Sequence, residues 1–229
     1  LKSIMKRAYD TGYNDNEEFR RSYFKVLKVE VDKIALSEEE IERIGTFDLS
    51  NENPRFELYR DVFLIGCYTA LRFSDFSRIR PEHVKDNVLH IITRKTKRKV
   101  IIPIRPELRA ILDKYDNRIP STARQHVNKA IKQIGKKAGI TESIEYQKVR
   151  AGKVITGHTP KYRMIETHTA RRTGATLMYL ATKDAIACMK ITGHTTAKNF
   201  MNYIKIDEAQ NARLLASSSF FQGRLKVVK

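Results

Sequence analysis

The sequence predicts a mainly α-helical domain of the α+β class, with one small antiparallel sheet. Three observations carry this reading. Apolar residues recur at helical spacing through most of the chain. The period drops to two only around NVLHIIT and VIIPI, residues 87–93 and 100–104. Helix caps and glycine stops bracket the periodic stretches. With 229 residues, 41% hydrophobic and 31% charged, the chain can bury a core and still present a charged surface.

Residues 1–30 are basic and aromatic (Arg20, Arg21, Tyr23, Phe24, Lys25) without a clean period, and read as the end of a preceding domain plus a linker. The start at Leu1 rather than Met suggests a fragment of a longer protein. The main domain is expected over residues 31–216 and a basic tail over 217–229. Ser37 with Glu40 three residues later forms a capping box that starts the first helix. Pro54 opens the second, with Leu58, Val62, Ile65 and Thr69 on one face. NVLHIIT, the charged turn RKTKRK (Arg94 to Lys99) and VIIPI form a β-hairpin with a basic tip. Pro103 keeps its second strand from a central position.

Helical signals resume at Ser121, with Val127, Ile131, Ile134 and Ala138 as the buried stripe and Gly139 as the stop. Gly152 and Gly157 punctuate a polar, hairpin-forming stretch up to Met164. A helix follows over His168–Ala181, a shorter one over Asp184–Ile191 ending at Gly193, and another carries Phe200, Tyr203 and Ile204. A last amphipathic stretch from Asp207 brings Leu214, Leu215, Phe220 and Phe221.

Lys and Arg total 44 against 26 Asp and Glu, a net charge of +18 with a pI near 9.9. Such a balance calls for a polyanionic partner, of which nucleic acid is the commonest, bound in a salt-sensitive way. Cys67 and Cys188 make neither a disulfide scaffold nor a zinc site. No apolar run is long enough to cross a bilayer and no secretory segment follows the first residue, so an intracellular protein is expected.

Cleaving a phosphodiester without metal needs cationic forks for the non-bridging oxygens, a nucleophile that sheds a proton, and a donor for the leaving oxygen. Candidates for each part are present. Arg72 lies beside Asp75, which could hold its guanidinium. Arg171 follows His168 by three residues, which on a helix puts both on one face. Guanidiniums stay charged and grip phosphate bidentately. Arg172 points elsewhere, as a DNA-backbone or surface contact. Lys95 at the hairpin tip, with Lys97 and Lys99 as rivals, is the candidate proton donor to a leaving alkoxide. His194 follows Gly193, and Tyr203 comes nine residues later. A phenol is about one part in a thousand ionised at neutral pH, a deficit of about 4 kcal/mol that guanidinium and imidazole neighbours can offset. His83, His90, His126 and His158 show no metal-ligand spacing, and acidic residues are sparse between Lys148 and Lys205, which argues against a metal nuclease.

The order of these motifs is specific. TALRFSDFSRI, a hairpin with Lys-Thr at its turn and Ile-Pro-Ile at the end of its return strand, HTARRTGATL, ITGHTT and then a tyrosine resembles the tyrosine recombinases, the phage-integrase family, over Val31 to Ala216. The wording of HTARRTGATL is most similar to integrases of bacterial integrative and conjugative elements. The resemblance implies a helical catalytic domain and a site-specific recombinase of mobile elements that needs no metal, ATP or other cofactor. Arg72 would bind the scissile phosphate, supported by Asp75, and Lys95 would protonate the departing 5′ oxygen. His168 would assist proton transfer, Arg171 would clamp the phosphate, and His194 would hydrogen-bond it in the transition state. Tyr203 would attack to leave a 3′-phosphotyrosyl link.

Arg94, Lys97, Arg98, Lys99 and Arg172 are the expected DNA contacts. The expected partners are double-stranded attachment sites, a homotetramer joined through the C-terminal segment (Leu214, Leu215, Phe220), and accessory DNA-bending proteins, all in the bacterial cytoplasm on nucleoid DNA with no membrane involved. The resemblance also implies that the nucleophile's helix can stand away from the site until DNA and neighbours assemble. Residues 1–30 would be the end of a core-binding domain. Gly174 and Ala175 depart from the family, whose members often carry a bulkier residue there. The competing readings are a type IB topoisomerase-like relaxing enzyme and a non-catalytic DNA-binding module of the same fold.

Overall fold

The structure is a computed structural model and describes residues 1–21, 33–150, 153–204, 206, 211–212, 215–216 and 220–223. It divides into two compact units: residues 1–32 with 145–158, and residues 33–144 with 159–229. The sequence places the 145–158 hairpin inside one domain running from 31 to 216; in the structure it groups with the N-terminal residues.

In the smaller unit, α1 (Lys2–Asp10) buries none of its residues. Tyr9 packs its ring 6.1 Å from that of Phe19, and the Arg20 guanidinium lies 4.7 Å from the Tyr9 ring centre. The strands β4 (Ser143–Arg150) and β5 (Lys153–Pro160) pair as a two-stranded sheet. The Tyr146 ring lies against Gly157, where an added Cβ would come within 2.9 Å of its hydroxyl.

The larger unit is built around α3 (Arg55–Thr69), which Ala70 closes in the left-handed conformation. Where periodicity predicts one apolar face, residues 61–67 are buried in an unbroken run, because helices cover several sides of α3. These are α2 (Glu38–Thr46), α5 (Pro106–Lys114), α6 (Arg124–Lys137) and α7 (Thr167–Thr182). The Ser37–Glu40 capping box starts α2 as expected. Asp61 stays buried in α3 because Lys114 Nζ (2.7 Å) and the Tyr115 hydroxyl (2.9 Å) donate to its carboxylate. At the α3–α7 crossing Gly174 lets the backbones meet: a Cβ there would stand 2.1 Å from the Cys67 carbonyl oxygen. That close approach accounts for the absence of a bulkier residue at Gly174.

A three-stranded antiparallel sheet lies in the order β1 (Val84–Lys85), β2 (Val88–Ile92), β3 (Lys99–Pro103). Leu89 pairs with Ile102 and Ile91 with Val100, all four buried, while His90, Ile92 and Ile101 face outward. Pro103 lies on an edge strand, where a missing donor costs least. The short helices α4 (Phe73–Phe76), α8 (Ala185–Thr192) and α9 (Ala197–Met201) complete this unit. The amphipathic stretch expected from Asp207 falls mostly outside the described residues, Leu214 included; Leu215 and Phe220 are exposed. No helix among the described residues is long and apolar enough to cross a membrane.

Candidate active site

One cleft of about 340 Å³ gathers Arg72, Lys95, His168, His194 and Tyr203, with Arg171 directly beneath its floor. These residues arrive from five separate places in the chain. Arg72 is the N-cap of α4, just past the left-handed turn that ends α3. Lys95 stands exposed on the turn between β2 and β3. His168 and Arg171 belong to the first turns of α7, and His194 follows Gly193, whose φ of +69° closes α8. Tyr203 comes just after α9, its carbonyl accepting a bond from the Thr176 hydroxyl at 3.3 Å.

Arg171 is fully buried, and its hydrogen bonds explain how it can be. Nη1 donates to the Ala70 carbonyl (2.8 Å) at the end of α3, and Nη2 to the Thr192 carbonyl (3.0 Å) at the end of α8. Last-turn carbonyls lack helical donors and carry the negative end of the helix dipole, so one guanidinium satisfies two helix ends. Nη2 also meets His194 Nε2 at 3.0 Å, and the cation lies 5.3 Å from the Tyr203 ring centre. Burial and the nearby Arg72 charge lower its pKa, while Tyr203 and Asp75 oppose the shift. It remains a cation at neutral pH.

The nucleophile candidate is in place within its own chain. Its ring stands 5.3 Å from that of His168 and 4.7 Å from that of His194. Phe200, fully buried on α9, packs edge-on against His194 at 5.5 Å and pins this segment. The displaced nucleophile helix that the resemblance allowed is therefore not the arrangement seen. Both imidazoles are neutral at pH 7. Desolvation, then Arg171 and Arg72, hold His194 down to about 3. His168 stands at the rim, and desolvation by the cleft wall, followed by Arg172, Arg171 and Lys33, holds it down to about 4.

Two expectations change. Asp75 was expected to hold Arg72; instead its Oδ1 accepts the Arg94 N–H at 2.8 Å and lies 3.9 Å from Arg78, which in turn donates to the Ile92 carbonyl. Asp75 thus ties down the turn that carries Lys95. Arg172 was expected at the surface, yet it is only 5% exposed and donates to the Ile34 carbonyl at 2.9 Å. Its geometry follows from α7 passing beside the 33–36 segment, where Thr173 also accepts the Leu36 N–H at 2.9 Å. Arg94, Lys97, Arg98 and Lys99 are all exposed on or beside the turn, as a solvated basic tip should be.

Sequence reasoning missed Lys33, Thr96, Asn199 and Asn202, which also line the cleft. Asn199, Asn202 and Tyr203 fall at i, i+3 and i+4, a spacing that could have found them. Lys33 and Thr96 carry no such signal. Thr96 takes part in closing the turn, its hydroxyl 2.7 Å from that of the buried Thr93.

The cleft therefore presents Lys33, Arg72, Lys95 and Arg172 with no acidic lining residue. Arg72 Nη1, Arg171 Nε and Arg172 Nε are buried with no hydrogen-bond partner among the described residues. Donors left open in this way suit the oxygens of an anion such as phosphate. Among the described residues no three His, Cys, Asp or Glu side chains gather as a metal site.

A family model described as the phage integrase family matches residues 35–210. Solved structures similar to this chain include the XerA recombinase (16% identity, TM-score 0.58, covering 98% of this chain and 75% of that one). A lambda integrase dimer bound to a core site shows 17% identity and a TM-score of 0.64, covering 91% of this chain and 74% of that one. The Tn1549 transposon integrase in complex with circular intermediate DNA also shows 17% identity and a TM-score of 0.64, covering 93% and 76%. At these identities the likeness is one of fold. No curated protein sequence matches the chain.

Proposed function

The chain belongs to the phage integrase family and is the catalytic part of a site-specific DNA recombinase, and on that premise we propose that Tyr203 cleaves and rejoins DNA strands without a metal. The phenolic oxygen attacks phosphorus, the bond to the 5′ oxygen breaks, and a 3′-phosphotyrosyl link and a free 5′ hydroxyl result. Arg72 and Arg171 meet the charge on the non-bridging oxygens, joined by His194. His168, neutral at pH 7, takes the phenolic proton, and Lys95 gives one to the leaving 5′ oxygen. A 5′ hydroxyl from a second strand reverses the attack, and since one phosphodiester replaces another, no ATP is consumed.

The observation that carries this reading is the Tyr203 ring set between the two imidazoles and over the Arg171 guanidinium, in a cleft lined by cations. Integration and excision of a mobile element, attachment-site duplexes as substrate, and action on bacterial nucleoid DNA complete the proposal. Residues 1–30 are the end of a core-binding domain and 217–229 a tail. Assembly as a tetramer through the C-terminal segment is supported by the exposed Leu215 and Phe220. It is supported too by fold likeness to a lambda integrase tetramer bound to a Holliday junction. DNA-bending proteins would assist that assembly. Arg94, Lys97, Arg98 and Lys99, exposed on or beside the turn, would contact the duplex.

The test is a nicked suicide substrate incubated with the protein in EDTA and then denatured in detergent. A protein–DNA adduct that Tyr203→Phe lacks is expected. An adduct that persists in Tyr203→Phe, or one that needs divalent metal, overturns the proposal.

A further inference from the structure

Three buried hydrogen bonds around His194 leave only one consistent distribution of protons. A threonine hydroxyl has a single hydrogen. The Thr192 Oγ1 lies 2.8 Å from the Cys188 carbonyl oxygen, one helical turn back, and a carbonyl can only accept, so the hydroxyl hydrogen is committed there. The same Oγ1 lies 2.7 Å from His194 Nδ1, and only its lone pair is free to serve that contact. Nδ1 must therefore carry the ring proton. In a neutral imidazole the other nitrogen is then bare. That nitrogen, Nε2, faces Arg171 Nη2 at 3.0 Å, and a guanidinium can only donate. The two ends of the ring agree independently on one tautomer. Thr192 and His194 are 0% and 4% exposed, so water does not replace either partner.

We propose that Thr192 is a positioning residue that fixes His194 as its Nδ1–H tautomer, so that the bare Nε2 holds the Arg171 guanidinium in place before DNA arrives. The alternative tautomer would set an N–H of the imidazole against an N–H of the guanidinium and push the clamp aside. A consequence follows for the reaction, and it rests on the reading that this cleft binds a phosphodiester. His194 meets the substrate as an acceptor and can donate to a phosphate oxygen only after gaining a proton. Burial and the flanking Arg171 and Arg72 charges keep the ring neutral in the DNA-free protein, in line with this.

The experiment is long-range 1H–15N correlation of the histidine side chains in the DNA-free protein, with His194 assigned by its absence in His194→Gln. The wild type at pH 7 is expected to show a protonated Nδ1, an unprotonated Nε2, and a downfield Hδ1 signal protected from exchange. Thr192→Val keeps the shape and removes the hydroxyl, and the protected Hδ1 should vanish; Thr192→Ser should restore it. In single-turnover cleavage Thr192→Val should be slower by about tenfold, the worth of one good hydrogen bond, with duplex affinity unchanged and Thr192→Ser near wild type.

A wild-type ring protonated at Nε2 overturns the proposal outright. An unaltered Hδ1 in Thr192→Val, or a serine variant as slow as the valine one, shows that packing rather than the hydroxyl is at work and also overturns it. Should Thr192→Val fail to fold, the wild-type and Thr192→Ser spectra still decide the tautomer. Because the spectra are taken without DNA, absence of the Tyr203 adduct would count against the recombinase chemistry and not against the tautomer.

Discussion

Asp75 has no exposed surface, and its one short bond goes to the backbone of the turn that carries Lys95. Its effect on cleavage should therefore run through the proton given to the leaving oxygen. We expect Asp75→Ala to slow adduct formation by about tenfold or more, the scale of losing a buried charge-assisted bond. Asp75→Asn, which keeps an acceptor, should lose less. A substrate with sulfur in place of the 5′ bridging oxygen has a leaving group that needs no proton, so it should rescue Asp75→Ala as it rescues Lys95→Ala. Rescue of the lysine variant alone would mean that Asp75 works elsewhere. His194 makes a second residue-level prediction. Its folded pKa of about 3 lies below the ordinary 6.5, so the unfolded chain holds the proton more tightly. The stability this group provides is complete above about pH 6.5 and is lost as pH falls toward 3, an effect on the order of 3–5 kcal/mol. Melting temperatures measured from pH 7 to pH 4 should fall more steeply for the wild type than for His194→Gln.

Among the elements, the crossing of α3 and α7 does most to assemble the site, since it brings Arg171 to the carbonyl that ends α3. Gly174→Ala must part the two backbones, because its Cβ would meet a carbonyl oxygen rather than a yielding side chain. We expect a loss of about 1–3 kcal/mol in urea denaturation, and a fall in cleavage larger than the change in folded fraction explains. Several elements were legible in the sequence because caps and stops bounded them: Ser37 with Glu40 for α2, and Gly193 for α8. Three helices were not: α4 is a single turn of four residues, too short to show a period. The nine-residue α5 follows directly on a proline-bearing strand and opens on Pro106, so its Leu108–Leu112 repeat is short. The α1 sequence offers no core stripe, since none of its residues is buried. The all-round burial of α3 could not be read from one-face periodicity, because it depends on which helices the chain later folds against it.

For the molecule as a whole, a net charge of +18 makes DNA binding a question of salt as much as of shape. Duplex affinity should fall linearly in log–log form as salt rises. Replacing the exposed Lys97 and Arg98 by alanine should lower the slope by about one for each phosphate that is no longer neutralised. A slope unchanged in the double variant would take the hairpin tip out of the duplex interface. Most of the charged groups around the cleft were legible because each bore a recognisable neighbour, as His168 does for Arg171; Lys33, without one, was not. Their supports were less so: Thr93 and Thr192 act through backbone and proton geometry that no spacing encodes, and Asp75, legible beside Arg72, serves the Arg94 N–H instead. The buried guanidinium that joins the ends of α3 and α8 has a practical corollary. Anyone wishing to detune this enzyme without melting it should leave that rivet alone and alter the solvent-facing lysine on the loop, since loosening the former would unfasten the scaffold along with the chemistry.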